Sequence, residues 1–312
     1  MRVFRAALLR GQGRPAGAVL TALLVGLLLF ADYAPEHSMR LGLFDRYQQW
    51  QPRERVGDGV VVVEIDERSL KELGQWPWPR QVVAQLVRQI AAQRPAALGI
   101  DVLFAEADRL SPEKLAQTLA AAQLDATQLA RLPQPDQELA DALRSLPSVL
   151  GVGALSDESV LEPGVPYRPM ILQSGGDATD FVPHYAASLR SIDLIDQAAG
   201  GHGALNPPPD GGVVRRVPTL ICIGGDLVPG LATEILRNAG GDAILRVQLR
   251  RGGVAAIEVA GLHIPTDADG GWWLHFSNWL DRPRVSAVDV LRGNVPPELM
   301  QGRIALLGYT AL

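Results

Sequence analysis

The sequence predicts an α/β protein: a mixed sheet with βαβ units flanked by helices, preceded by one N-terminal transmembrane helix. Three observations carry this. The β-branched run Val60-Val61-Val62-Val63-Glu64-Ile65 has the continuous apolar character of a strand buried in a parallel sheet. Val83, Leu86, Val87, Ile90 and Ala91 then recur at helical spacing, with Arg80, Gln81, Gln85 and Arg88 opposite, which describes an amphipathic helix laid over that sheet. Finally, an uncharged stretch rich in Leu and Val, Pro15 to Ala31, precedes all of it.

The N-terminus sets an orientation. Arg2, Arg5, Arg10 and Arg14 precede the apolar stretch, and Asp32 and Glu36 follow it, so the positive-inside rule keeps the amino end in the cytoplasm. A run of 17 lies at the lower limit for a spanning helix, which needs about 20 apolar residues. The rival is a cleaved signal peptide, whose apolar core is usually about 7–15 residues and ends at a small-x-small site, and no clean site precedes Asp32. The expected organisation is a cytoplasmic basic tail over 1–14, a signal anchor over 15–34 and an extracytoplasmic domain over 35–312. Met39 to Tyr47 continues the anchor into an amphipathic turn.

Beyond the first strand, Asp66 caps a short helix that Gly74 stops. The amphipathic helix leads to a strand within Pro95–Phe104, closing a right-handed βαβ unit. Helices start at Ser111-Pro112-Glu113 and near Pro135-Asp136, and Ser148–Leu155 is a third core strand. Residues 156–183, with many Gly, Pro and Asp, are expected as a long surface loop. Residues 201–218 suggest a hairpin turning at Asp210-Gly211. A helix over Leu231–Ala239 follows, then alternating segments at Val247–Leu249, Ala255–Val259 and Trp272–Phe276, with Asp269-Gly270 as another hairpin turn, and a last strand at Arg303–Gly308.

Between the first two strands stands Trp76-Pro77-Trp78-Pro79-Arg80, a stiff corner with two large aromatic faces, because Pro fixes its own φ and restricts the residue before it. Ile-Asp-x-x-Ser-Leu at 65–70, Leu-Gly-x-Trp-Pro-Trp-Pro-Arg at 73–80 and Gly-x-Asp-x-Leu-Phe at 99–104 together resemble the CHASE2 family of bacterial extracytoplasmic sensor domains. Later pieces match in order: Gly-x-x-Asn ending at Asn206, Asp210-Gly with Arg215-Arg216, a helix near Leu231–Leu236, Ser286-Ala287-x-Asp289-Val290-Leu291 and Leu306-Leu307-Gly308. The resemblance covers roughly residues 40–312. It implies the outside half of a membrane signalling receptor at the inner membrane, with the bulk of the chain periplasmic. In the family the last strand is followed by more of the sensor, transmembrane helices and an intracellular output, often an adenylate, guanylate or diguanylate cyclase or a protein kinase. The chain is accordingly expected to stop short of that output. The expected partners are the membrane, a small molecule or ion, and a second copy paired through membrane and juxtamembrane helices.

Composition fits an exported folded domain. At 47% hydrophobic and 20% charged the chain can bury a core, and nothing is biased enough to be disordered. No basic stripe interleaved with aromatics points to nucleic acid. Cys222 is the only cysteine, which excludes an internal disulfide, and its apolar run makes it a buried thiol.

Enzyme signatures fail when tested. Gly151-x-Gly153-x-x-Ser156 lacks the third glycine of a dinucleotide loop. Asp267-Ala268-Asp269-Gly270 starts like a calcium loop, but Gly271 takes the next ligand position and no Glu stands at the twelfth. The five histidines form no i, i+4 pair, and no Gly-x-Ser-x-Gly or Cys-x-x-Cys is present. No catalytic residue, cofactor or metal is expected. An anchored periplasmic hydrolase or stand-alone binding protein is the alternative, and it would need a convergent site without a sequence motif.

Asp66 and Asp101 each end a predicted parallel strand, where α/β sheets bind ligands. With Arg80 nearby they are the candidate ligand residues. The competing reading has Asp66 capping a helix and Arg80 locking one of the two aspartates. Trp76, Pro77, Trp78 and Pro79 are expected to be structural, as buried anchors rather than a ligand clamp. Of Arg215 and Arg216, which alternate faces, one is expected to point to solvent.

Overall fold

The computed structural model describes residues 14–30, 34–54, 57, 59–121, 129, 132–156, 169–205, 213–277 and 283–311. The chain divides into two units, Met1–Arg55 with His275–Asn278, and Val56–Leu274 with Trp279–Leu312.

In the first unit, α1 (Arg14–Phe30) and α2 (Ala34–Trp50) are helices of 17 residues each. Helix α1 carries no charge after Arg14, and Val19, Leu20 and Leu23 on it are exposed. Among the described residues no helix is long and apolar enough to cross a membrane. At about 1.5 Å per residue, α1 measures about 26 Å against a hydrocarbon core of about 30 Å. Of the expected anchor, 15–34, the residues through Phe30 are helical but fall short of a span, Ala34 begins α2, and residues 31–33 lie outside the described residues. Past α2 the backbone is held by the 275–277 segment: Phe276 N donates to Gln48 Oε1 (3.0 Å), His275 Nε2 to the Gln51 carbonyl (2.9 Å) and Arg53 N to the Phe276 carbonyl (2.8 Å).

The second unit is mixed α/β, as predicted. Its first part runs β1 (Val60–Ile65), α3 (Glu67–Leu73), α4 (Arg80–Ala92), β2 (Ala97–Asp101), α5 (Pro112–Ala121), α6 (Pro135–Arg144) and β3 (Ser148–Leu155). Then come β4 (Met170–Ser174), β5 (His184–Tyr185), β6 (Ala187–Leu189), α7 (Asp193–Asp196), β7 (Gly201–Ala204), β8 (Arg216–Pro218), β9 (Leu220–Ile223) and β10 (Asp226–Pro229). The chain continues through α8 (Leu231–Ala239), β11 (Ile244–Arg250), β12 (Gly253–Val259), β13 (Leu262–Pro265), β14 (Gly271–Trp273), β15 (Arg284–Ser286), α9 (Ala287–Leu291) and β16 (Ile304–Tyr309).

The main sheet has the order β15-β1-β16-β2-β3, with β7 parallel and β6 antiparallel to β3. β1 and β2 are parallel, as the βαβ reading requires, but they are not neighbours. The last strand lies between them, pairing Val60–Ile65 on one side and Ala97–Asp101 on the other. One sheet face is fully covered: Val61, Val63, Ile65, Ile100, Leu150 and Leu307 form one core with Leu86 and Ile90 of α4, Leu139 and Leu143 of α6, Ile195 of α7 and Val290 of α9. The other face is covered only in part. Helix α8 packs so closely on β2 and β3 that a Cβ at Gly99 would clash with Ile235 Cδ1. Over β15, β1 and β16 the same face is left partly open, with Val62, Glu64, Leu306 and Gly308 half-buried.

A second, all-β region holds the sheet β13-β12-β11-β4 and the three strands β10-β9-β5, built around Leu220, Cys222, Leu245, Val247 and Ile257. Cys222 is buried, as its apolar run predicted. Three expectations change here. The 156–183 stretch is not all loop, because β4 lies in it and pairs in parallel with β11. The strands flanking the expected 210–211 turn do not form a hairpin: β7 pairs with β3 and β8 with β14, and residues 206–212 lie outside the described residues. Asp269-Gly270 does turn the chain, with Gly270 at φ 75°, yet it joins strands of different sheets. Tight two-residue hairpins lie instead at Gly224-Gly225 between β9 and β10, at Arg251-Gly252 between β11 and β12, and at Ala260-Gly261 between β12 and β13.

Candidate functional site

The Trp-Pro corner is held from all sides. Trp78 is 2% exposed, its Nε1 donates to the Gly74 carbonyl (2.9 Å), and its ring meets Trp76 edge-on at 5.4 Å. Pro79 precedes α4 and offers no side-chain cap, so the first backbone N–H of the helix would lack a partner. Asp108 supplies it: Arg80 N donates to its Oδ2 (2.5 Å), while Oδ1 accepts from Leu110 N (2.8 Å). The Asp108 N–H in turn donates to Asp136 Oδ2 (3.0 Å) at the start of α6. The buried Arg80 guanidinium lies 4.6 Å over the Phe104 ring, donates to the Glu106 carbonyl (3.0 Å) and faces Asp136 Oδ1 at 3.4 Å. That last contact is an ion pair without hydrogen-bond geometry, so its atoms are satisfied by charge alone. Burial pushes the Asp136 carboxyl up, with the Asp108 N–H and Arg80 pulling the other way.

Arg80 thus locks aspartates, but Asp108 and Asp136 rather than Asp66 or Asp101. The sequence contained a signal for Asp136, an acidic residue right after Pro135 at a helix start. For Asp108, a loop aspartate 28 residues from its partner, it contained none. A cavity of about 310 Å³ lies beside the corner, lined by Trp76, Trp78, Arg80 and residues 103–109.

Asp66 is a helix cap. Its Oδ1 accepts from Ser69 N (2.8 Å) and from Ser286 Oγ (2.9 Å). Partial burial alone would raise its carboxyl, but the hydrogen bonds from Ser69 and Ser286 outweigh that and hold it below the ordinary range.

Asp101 is different. It ends β2 beside a cavity of about 270 Å³ on the partly open sheet face. Strand register explains who shares it. Glu64, Gly308 and Asp101 are cross-strand partners in one row over β1, β16 and β2, and Arg284, Val62, Leu306 and Gly99 form the row beside it. Two carboxylates therefore stand on either side of a residue with no side chain. Neighbouring strands are about 4.8 Å apart, which separates the Glu64 and Asp101 Cα atoms by about 10 Å. Asp101 is exposed at the end of β2, though the protein around its base desolvates the carboxyl enough to raise it, and among the described residues no hydrogen-bond donor meets it. Burial also raises Glu64; Arg284 opposes this, while Asp66 and Glu67 add to it. Asp101 and Leu231 also line an adjoining cavity of about 250 Å³ that reaches Trp272. Of the three sequence candidates, Asp101 and Arg80 line different cavities and Asp66 lines neither.

A model of the CHASE2 domain matches residues 19–312. The chain belongs to the CHASE2 family. CHASE2 domains are extracytoplasmic sensor domains, which agrees with a cavity on a folded scaffold and with the failed enzyme motifs. No curated protein and no solved structure gave a match.

Two further polar groups in this CHASE2 domain were not foreseen. Asp196, 1% exposed, accepts from Arg190 (3.3 Å) and lies 3.3 Å from the buried His202, while Glu234 of α8 is held by Arg237 through both oxygens at 2.6 and 2.8 Å. Arg215 is buried, and Arg216 binds Asp269 (3.1 Å) beneath Trp273, so neither arginine is the solvent-facing residue expected.

Proposed function

We propose that this chain is the extracytoplasmic sensory part of a bacterial transmembrane signalling receptor. It binds a small ligand in the cavity over β1, β16 and β2 and relays a conformational change to an intracellular output such as a nucleotide cyclase, diguanylate cyclase or protein kinase. The observation that carries the reading is the cavity itself, at the C-terminal ends of parallel strands, with Asp101 exposed at its edge and without a hydrogen-bond donor among the described residues. Helix α1 serves as the inner-membrane anchor. Its exposed Val19, Leu20 and Leu23 suit lipid better than water, and tilt-free spanning at its length calls for local thinning of the bilayer. A second copy pairs along α2, where Met39, Leu43, Tyr47 and Trp50 recur at helical spacing and are each more than half exposed.

Hydrogen exchange on the full chain tests the sensing step. Adding the small-molecule fraction of a bacterial culture should protect amides in segments 62–66, 99–103 and 304–310. Protection confined to 213–218 would relocate the site, and no protection anywhere would overturn ligand sensing. For placement, alkaline phosphatase fused after Leu312 should be active; activity of a cytoplasm-only reporter there would reverse the topology.

A further inference from the structure

We infer that the ligand is a small uncharged molecule with an apolar body, and that this body lies in the cavity walled by Trp272 and Val217, which adjoins the one over β1, β16 and β2. This rests on the sensor reading for the use of the site, though not for its chemistry.

Two neighbouring tryptophans point to it. β14 pairs Trp272 with Val217 and Trp273 with Arg216, and neighbours on a strand face opposite ways. Trp273 is engaged: its Nε1 donates to Asp267 Oδ2 (2.6 Å), and the Arg216 guanidinium lies 5.4 Å from its ring. Trp272 is 41% exposed, and among the described residues its side chain makes no hydrogen bond and no ring contact. Together with its cross-strand partner Val217 it lines a cavity of about 250 Å³. A large ring with an idle N–H donor on a cavity wall marks a surface built to be covered.

Size and lining then give the class of molecule. Protein interiors leave few voids larger than a water molecule, and an apolar cavity of about 150 Å³ already takes benzene. This space is larger, so it is no packing defect. Its other walls are Leu205 after β7, Leu231 and Leu236 of α8, and Ile264 of β13. The Thr219 hydroxyl at its side is already given to the Gly270 carbonyl (2.7 Å). Asp101 is the one ionisable group among the described lining residues, and it is exposed. An uncharged body gains the whole apolar lining, whereas a charged one would give up water for walls without a counter-charge. Asp101 and Leu231 also line the cavity over β1, β16 and β2, so one molecule can extend from one space into the other.

The probes are benzyl alcohol and sodium benzoate, which share a ring and differ in charge, added to the full chain in lipid nanodiscs. The six tryptophans carry a 5-fluoro label, and Trp272→Phe identifies the Trp272 fluorine signal. Benzyl alcohol should move that signal saturably and leave the buried Trp78 signal in place, and benzoate should move neither. Ala232→Phe, at an exposed position lining the same cavity, should fill the space and weaken binding by about tenfold or more. No movement of the Trp272 signal, movement of all six without saturation, an equal response to benzoate, or an unchanged response in Ala232→Phe each overturns the proposal. Should Ala232→Phe not fold, Ala232→Leu carries the same comparison. If benzyl alcohol fails while the culture fraction still protects 304–310, the ligand class is wrong and sensing stands. If benzyl alcohol binds while the culture fraction protects nothing, the chemistry of the cavity stands and sensing falls.

Discussion

Around the Trp-Pro corner, one arginine is enclosed by two aspartates, a carbonyl and an aromatic ring. Over Gly308, on the other face of the same sheet, a carboxylate stands beside a cavity without a hydrogen-bond donor among the described residues. Both places hold charged groups taken partly out of water. In the first, each charge has its counter-charge and the result is a rigid joint. In the second, Asp101 is exposed and its carboxyl is raised by desolvation alone, without a counter-charge among the described residues. The most conspicuous motif in the sequence is thus the one with the least chemistry left to offer.

The largest expected effect tests the joint. Trp78→Ala should lower stability by about 3–5 kcal/mol, the usual loss for a buried aromatic, read as a lower denaturant midpoint. An unchanged midpoint would mean that the ring is a ligand clamp and that the comparison is drawn the wrong way round.

Arg80→Met removes the cation between Asp108 and Asp136 and should cost about 3 kcal/mol, the scale for breaking a buried pair. The Asp136 carboxyl already lies above its ordinary value, and losing Arg80 raises it further. A raised carboxyl destabilises the fold at pH above its unfolded value, so the deficit of the variant should shrink as the solution is acidified toward that value. A deficit that is constant with pH would show that packing on Phe104, not charge, is what Arg80 provides.

Asp66→Ala should cost about 1 kcal/mol, as loss of an N-cap does. Here the folded carboxyl is depressed, so its contribution is present above the unfolded value and lost as pH falls through the folded one. Wild type and variant should therefore converge in acid.

Asp101→Asn gives the smallest change and the opposite sign. Its carboxyl is raised by desolvation, but the residue is exposed and solvent screens its charge, so the amide should stabilise the unliganded chain at neutral pH by no more than a few tenths of a kcal/mol, about the scale of a screened surface charge. The gain should vanish in acid, where the wild-type group is protonated in both states. Destabilisation at neutral pH would mean that Asp101 is already paired and would erase the contrast with Arg80.

What could be seen beforehand follows the range of each interaction. β1, α4, β3 and α8 were legible because apolar periodicity is local, and Asp66 and Gly74 because caps act within a few residues. Asp101 was legible as a strand-end acid. Glu64 was not singled out with it, because the two meet only through Gly308 of a strand more than 200 residues further along. Asp108 was missed for the same reason, since a cap supplied from another loop leaves no pattern near the helix it serves. β4 was hidden in a stretch rich in Gly and Pro and exists because β11 offers it an edge.

The placement of β16 has a mechanical side. The chain comes into β1 at Val60 and leaves β16 at Tyr309, and these strands are neighbours running in the same direction. Tension applied across those two points would load every rung from Val60–Ile304 to Ile65–Tyr309 at once, in shear rather than one after another. β2 grips β16 from its other side and shares the load. A pull or twist arriving at one end is therefore delivered to the other with little slack, and the strand that transmits it is the one carrying Gly308.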